Sequence, residues 1–457
     1  MRNRRRVAIA TAAIAGCALV ATTVAQANTG DRTQDVKQSI KGGKAKNVIM
    51  FLGDGMGDSE ITIARNYAEG AAGRLSMDSL PLTGEYTTYA VQRGTPDVPD
   101  YVTDSAASGT GWATGHKTYN NAVSVDPVTG APLPTVLEAA AAAGFRTGNV
   151  TTAELTDATP AVLDSHVSLR GCQGPADMAT CPTETKQAGG LGSIAEQTVD
   201  HNVDVLLGGG RQRFDQVVTG GPFTGMSVVQ QAQRQGYTYI TDAAGLAGAS
   251  AGRKYLGLFS TGNMDLEWTG PLAAPYPGPA ATACTESNPQ RPATMPHLSD
   301  MTAKAIDLLS TKVKGDRRKG FFLQVEGASI DKQDHAENPC GQIGETVEFD
   351  RAIQVALDFA ATNPDTLIIV TADHGHTSQI VEPQTAADHS PGAIATLITA
   401  DGQPMVVNYA TNLDGRSQSH TGTEVRVAAQ GPQAANVVGI TDQTDLNRTM
   451  MRALGLE

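Results

Sequence analysis

An α/β fold, with a central and mostly parallel sheet, helices on both faces and loop insertions, is predicted by three features of this 457-residue chain. Four apolar runs, residues 47–52, 146–150, 320–325 and 366–370, each end in polar residues, as buried parallel strands do. Helical patterns over residues 133–143 and 345–361 lie between them, and alternating strands and helices imply parallel pairing. No internal repeat or domain linker breaks the pattern, so residues 47–457 are expected to form one domain.

The chain opens on an export signal. Arg2, Arg4, Arg5 and Arg6 precede an apolar run over residues 7–24, and Ala25-Gln26-Ala27 fits a small-residue cleavage site, so cleavage is expected after Ala27. Two variants stay open: Ile14-Ala15-Gly16-Cys17 resembles a lipoprotein box, although apolar sequence continues past Cys17, and Arg4-Arg5-Arg6 is a weak twin-arginine signal. A periplasmic or secreted location follows. Residues 28–46 are polar and Lys-rich and read as an N-terminal arm. Residues 269–296, rich in Pro and Gly, read as a surface excursion, and residues 377–415, with few long apolar runs, as a second insertion.

The formal charge is −13, and it becomes more negative once the four signal arginines leave. Such a surface repels nucleic acid and anionic membrane, so neither partner is expected. An anionic substrate then needs a local cationic site. Beyond Cys17, Cys172, Cys181, Cys284 and Cys340 allow three pairings. Pairing of near neighbours, Cys172 with Cys181 and Cys284 with Cys340, would contribute about 3 and about 4 kcal/mol by loop closure. A zinc-thiolate site is the alternative, but the chain has no C-x-x-C.

The exits of the four strands carry the chemistry. The first runs into Gly53-Asp54-Gly55-Met56-Gly57-Asp58, which is no dinucleotide loop, because Asp58 stands where G-x-G-x-x-G needs glycine. Asp54 would also repel a pyrophosphate unless it holds a metal. The second leads to Asp157, Thr159 and, further on, Arg170; the third to Glu326, Asp331, Lys332 and His335; the fourth to Asp373-His374-Gly375-His376. Asp331 and His335, four apart, share one helical face and can grip one ion. His420 adds a further imidazole in a late loop. Singly, Asp54 reads as a cap, Glu326 as a solvated acid, Asp331/His335 as a surface pair and Asp373-His374 as a turn. Together they form an oxygen and nitrogen donor set suited to Zn²⁺ and to a harder ion such as Mg²⁺. His116, His166, His201, His297 and His389 lack a partner pattern and are expected to be structural or surface residues. Thr103-Asp104-Ser105-Ala106-Ala107-Ser108 reads as a helix start that puts Ser105 at the positive helix end. No His or Lys nearby in sequence serves it as base, so a metal is the expected activator.

These motifs together resemble the alkaline phosphatase family, in particular its exported bacterial type, and the likeness covers the whole chain after the signal. The resemblance implies phosphate monoester hydrolysis through a phosphoserine at Ser105, with Arg170 gripping the phosphate. It implies one zinc on Asp331, His335 and His420, another on Asp54, Asp373 and His374, and one magnesium on Asp54, Thr159 and Glu326. That amounts to two Zn²⁺ and one Mg²⁺ per chain. Asp157, Lys332 and His376 match supporting positions, and a homodimer is implied. One departure stands out: Gly109 and Gly111 occupy positions where alanine is expected, which could loosen the helix behind Ser105. A sulfatase would share the metal ligands, but Ser105 lacks the following x-Pro-x-Arg; a phosphate-binding protein without turnover would need neither nucleophile nor metals.

Overall fold

Every residue of β1 (Asn47–Gly53) is buried. Side chains alternate across a strand, so complete burial means that both faces of the sheet are covered there. The computed structural model describes residues 31–457 except Asp414; the export signal lies outside the described residues. In chain order the main sheet contains β1, β2 (Leu82–Thr87), β3 (Arg146–Glu154), β4 (Val205–Gly209), β5 (Tyr237–Ile240), β6 (Lys254–Leu258), β7 (Phe321–Gly327), β8 (Thr366–Ala372), β9 (Val425–Gln430) and β10 (Gly439–Asp442). Their spatial order is β10-β2-β9-β8-β1-β7-β3-β4-β6-β5, and β9 alone runs against the rest.

The four strands expected from sequence are the neighbouring strands β3, β7, β1 and β8. β3, β7 and β8 extend past their apolar runs into polar residues, for example to Glu154 in β3, while β1 adds only Gly53. The register matters for the site. Gly53 pairs with Gly327 on one side and Ala372 on the other, so Asp54 and Asp373 leave the sheet at one level. Leu52 pairs with Glu326, which pairs with Thr151. Ligands in such sheets collect beyond the carboxyl strand ends, which is where these side chains emerge.

The helix expected over 133–143 spans Val136–Ala142, because Thr135 caps it and Pro134 cannot continue it upstream. The one expected over 345–361 begins earlier, at Pro339, and runs to Thr362. Pro suits the first helical turn, and Asn338 accepts the Gly341 N–H ahead of it. Within the arm, a helix spans Thr33–Ser39 and buries no residue.

Residues 377–415 hold a separate three-stranded antiparallel sheet, Ser378–Val381, Pro404–Tyr409 and Ala393–Ile398. It shares a second core with Ile63, Tyr67, Trp268 and Ile343. Its strands are short, so they leave no long apolar run in the sequence. Cys172 pairs with Cys181 and Cys284 with Cys340, which leaves none of the four for a thiolate site. No helix among the described residues is long and apolar enough to cross a membrane.

Candidate active site

Ser105 is the first residue of the helix Ser105–Thr114, and Asp104 caps it by accepting the Ala107 N–H at 3.0 Å. The hydroxyl therefore sits at the positive helix end. Its Oγ lies 3.4 Å from Asp54 Oδ1 and 3.4 Å from His374 Nε2. Gly109 and Gly111 do not loosen this helix. A Cβ at 109 would come within 2.9 Å of the Val162 methyls, and one at 111 within 2.8 Å of Gln443, so glycine permits the close packing observed.

Asp54 follows β1 and leads into Gly55, whose positive φ of 64° makes the turn. A Cβ there would lie 3.0 Å from the Asp331 backbone, so this close approach also needs glycine. The Gly55 N–H donates to Asp373 Oδ1 at 2.9 Å, which ties the exits of β1 and β8 together. Glu326, next to last in β7, accepts from the Thr151 hydroxyl on β3, while Thr159, on the helix Ala158–Asp164, also faces it. Asp331, Lys332 and His335 share the helix Ser329–His335.

Two donor clusters result: Asp54 with Asp373 and His374, and Asp331 with His335, His376 and His420. The far ring nitrogens decide which imidazoles can bind a cation. His335 Nδ1 faces the Gln418 carbonyl, His420 Nδ1 faces the Thr103 carbonyl at 3.0 Å, and His374 Nδ1 faces the Gly375 carbonyl at 3.3 Å. A carbonyl only accepts, so each Nδ1 carries the proton and each Nε2 keeps a lone pair. The Nε2 atoms of His335 and His420 then face each other at 3.2 Å, an arrangement that suits a shared cation. His376 is the reverse case. Its Nδ1 accepts the Thr377 N–H at 2.8 Å, so its proton is on Nε2, 3.1 Å from Asp331 Oδ1, and it supports Asp331 instead of joining the donors.

The charge balance points the same way. Burial, then the neighbouring Asp331 and Asp373, push the Asp54 carboxyl well above its ordinary range. Burial also raises Asp373, and it pushes Glu326 up to about 8 although Lys332 opposes this. Asp331 is held well below the usual range by His376 and His420 in spite of burial. Asp373 Oδ2 is buried with no hydrogen-bond partner among the described residues. Beside this acidic core runs a chain of ion pairs. Lys332 Nζ is 2.9 Å from Asp157 Oδ2, Asp157 Oδ1 is 2.7 Å from Arg170, and Arg170 is 3.1 Å from Asp104 Oδ2.

The structure places Ser105, Asp54, Thr159, Glu326, Asp331, His335, Asp373, His374 and His420 around one site, with Asp157, Arg170, Lys332 and His376 beside them. Several partners were not foreseen: Thr151 on Glu326, Asp104 as the second anchor of Arg170, and the carbonyls of Thr103 and Gln418. Backbone carbonyls leave no mark in a sequence, and Asp104 reads there only as a cap.

Clustered carboxylates and imidazoles beside a helix-start serine, at the carboxyl ends of a parallel sheet, define a metal-dependent hydrolase. A family model described as alkaline phosphatase matches residues 45–417 and 403–456. The chain belongs to the alkaline phosphatase family and is an enzyme that hydrolyses phosphate monoesters. It is 55% identical to the alkaline phosphatase of Escherichia coli (strain K12) over 438 residues, 94% of this chain and 90% of that protein. It is 54% identical to a streptomycin-6-phosphate phosphatase of Streptomyces griseus, over 90% of this chain and 91% of that protein. Among solved structures, the alkaline phosphatase of the Antarctic bacterium TAB5 superposes with a TM-score of 0.67 at 24% identity, covering 92% of this chain and 99% of that one; this likeness concerns the fold.

Proposed function

We propose that this hydrolysis runs in two steps through a phosphoserine at Ser105, in a site holding two Zn²⁺ and one Mg²⁺ per chain. One observation carries the reading: four buried carboxylates, of Asp54, Glu326, Asp331 and Asp373, lie with three imidazoles, of buried His374 and half-buried His335 and His420, beside one serine. Lys332 and Arg170 do not match that charge, and buried charges without partners are costly. One zinc is assigned to Asp331, His335 and His420 and the other to Asp54, Asp373 and His374, sets that mix nitrogen and oxygen. Magnesium is assigned to the oxygens of Asp54, Thr159 and Glu326. When bound, these cations neutralise and orient the entering and leaving oxygens of an in-line phosphoryl transfer.

The chain's own groups do the rest. Ser105 Oγ attacks phosphorus while the alcohol leaves, and water then cleaves the phosphoserine to release phosphate. Arg170 is assigned to hold two phosphoryl oxygens with its planar fork, and Asp157 and Asp104 keep that fork aligned. A site that reads only the phosphoryl group accepts many alcohols. We also assign residues 1–27 to a cleaved export signal, residues 28–46 to an arm and residues 47–457 to one catalytic domain with insertions at 269–296 and 377–415. The two disulfides fit an oxidising compartment. The homodimer is carried over from the family resemblance.

The direct test pairs substrate choice with metal content. The purified protein is expected to release p-nitrophenol from p-nitrophenyl phosphate far faster than from the sulfate or the bis-ester, and to carry two zincs and one magnesium per chain by elemental analysis. Fewer than one zinc per chain in active protein would overturn the metal assignment.

Lys332 offers a finer test. Its ammonium adds positive field beside the phosphate, in the product complex as much as in the transition state. Lys332→Ala is expected to raise the phosphate inhibition constant about tenfold, about 1.4 kcal/mol, with kcat equal or higher at alkaline pH. If Lys332 merely holds Asp157, kcat and magnesium affinity fall together and the inhibition constant stays put.

A further inference from the structure

Away from the active site, Glu138, His166 and His201 bring one carboxylate oxygen and two ring nitrogens within 4.8 Å of one another. They come from three places in the chain. Glu138 lies in the first turn of the helix Val136–Ala142, His166 follows the helix Ala158–Asp164, and His201 ends the helix Ile194–Asp200. Nothing in their spacing along the chain groups them.

The tautomer argument that separates His376 from the active-site donors applies here too. His166 Nδ1 faces the Ser124 carbonyl at 2.9 Å, and His201 Nδ1 faces the Gln197 carbonyl at 2.8 Å. Each Nδ1 therefore carries a proton, so in the neutral ring each Nε2 offers a lone pair toward Glu138. Both lone pairs converge on Glu138 Oε1, at 3.2 Å from His166 and 2.8 Å from His201. Three acceptors at that spacing repel unless a proton or a cation sits among them; without a cation the Glu138 carboxylate keeps a proton on His201, whose pKa is pushed up to about 9 although burial opposes it. Protonating both rings would set two like charges side by side, with ring centroids 5.9 Å apart. One cation satisfies all three donors at once.

The surroundings fit a built site. Glu138 is held from behind, because its Oε2 accepts the Thr135 N–H at 2.8 Å and only Oε1 faces the imidazoles. Both histidines are fixed by carbonyls on their far nitrogens, the arrangement typical of metal-bound imidazole. A tetrahedral ion with bonds of about 2.0–2.1 Å needs donor atoms about 3.3 Å apart, so the two contacts of Glu138 Oε1, at 3.2 and 2.8 Å, have to open by about half an ångström at most. Glu138 and His201 keep about a quarter of their side chains exposed, which leaves an entry path and room for water as further ligand.

We propose that Glu138, His166 and His201 form an additional cation site that takes a late first-row divalent ion, Zn²⁺ foremost, distinct from the active site. The two-nitrogen, one-carboxylate donor set and the open position are those of zinc and its neighbours, not of Mg²⁺ or Ca²⁺. Binding pins together three chain segments, among them the helix whose first turn carries Thr159 and which Asp157 caps.

The test uses the full enzyme with its catalytic metals saturated, titrated with Zn²⁺ at pH 8 by calorimetry and by thermal unfolding. Glu138→Gln keeps the Thr135 contact but removes the charge, and His201→Ala removes one donor at a partly exposed position. Wild type is expected to bind one more zinc than either variant, or to bind it at least tenfold more tightly, and to gain thermal stability that the variants lack. Monoester turnover is expected to be unchanged by both substitutions. Equal zinc uptake and equal zinc-dependent stabilisation in all three proteins would mean that the space holds only a proton, and would overturn the proposal.

Discussion

Replacing Ser105 with alanine is expected to lower kcat for a phosphate monoester by about 10³-fold or more, about 4 kcal/mol of barrier. The substitution removes the oxygen that would form the phosphoenzyme and disturbs little else. That oxygen's contacts with Asp54 and His374, both 3.4 Å, are too long to hold the site together. The Asp104 cap on the Ala107 N–H is also untouched, so the helix keeps its start. Residual turnover through direct attack of water is expected, since removing a nucleophile leaves the electrostatic stabilisation in place. Phosphate binding should persist because Arg170 and its carboxylate anchors stay. Single-turnover kinetics and trapping of labelled phosphoserine check this. Near-full turnover in the variant, or label on another residue of the parent, would sink the assignment.

How much of this was legible in the sequence follows from what each feature depends on. β1, β7 and β8 are apolar over most of their length because both faces are covered, and such strands stand out. β9 and the strands of the small sheet are short and mix in polar residues, so they carry no comparable signal. The acidic and imidazole residues at the strand ends were visible as types. Their convergence depends on register, which sets Gly53 against Gly327 and Ala372, and register is a tertiary property. The distinction between His376 and its ligand-like neighbours rests on an N–H at Thr377 as against carbonyls at Thr103, Gly375 and Gln418. Such backbone partners are invisible in sequence, which is also why His166 and His201 read there as unremarkable.

Stripping the metals with a chelator is expected to abolish activity and to lower the thermal midpoint by about 10 °C or more, with both restored by zinc and magnesium together. The drop should grow with pH. Without cations, Asp54, Asp373 and Glu326 hold protons in the folded state at a pH where the unfolded chain has released them. An acid whose folded pKa is raised loses stability as pH climbs from its ordinary value through the raised one, and for Glu326 that window ends at about 8. His420, raised by Asp331 although burial opposes it, loses its contribution in the same direction. His374 and His376, pushed down by burial, are neutral in both states at alkaline pH and add nothing there. Asp331, held low, contributes a term that is lost only on acidification. Metal binding needs these same ligands deprotonated, so the loaded protein gains where the stripped one weakens. The gap between the two midpoints is therefore expected to widen from pH 7 to pH 9. A constant or shrinking gap in scanning calorimetry would show that these buried carboxylates are not what the cations neutralise, and activity that survives chelation would dismiss the metal site altogether.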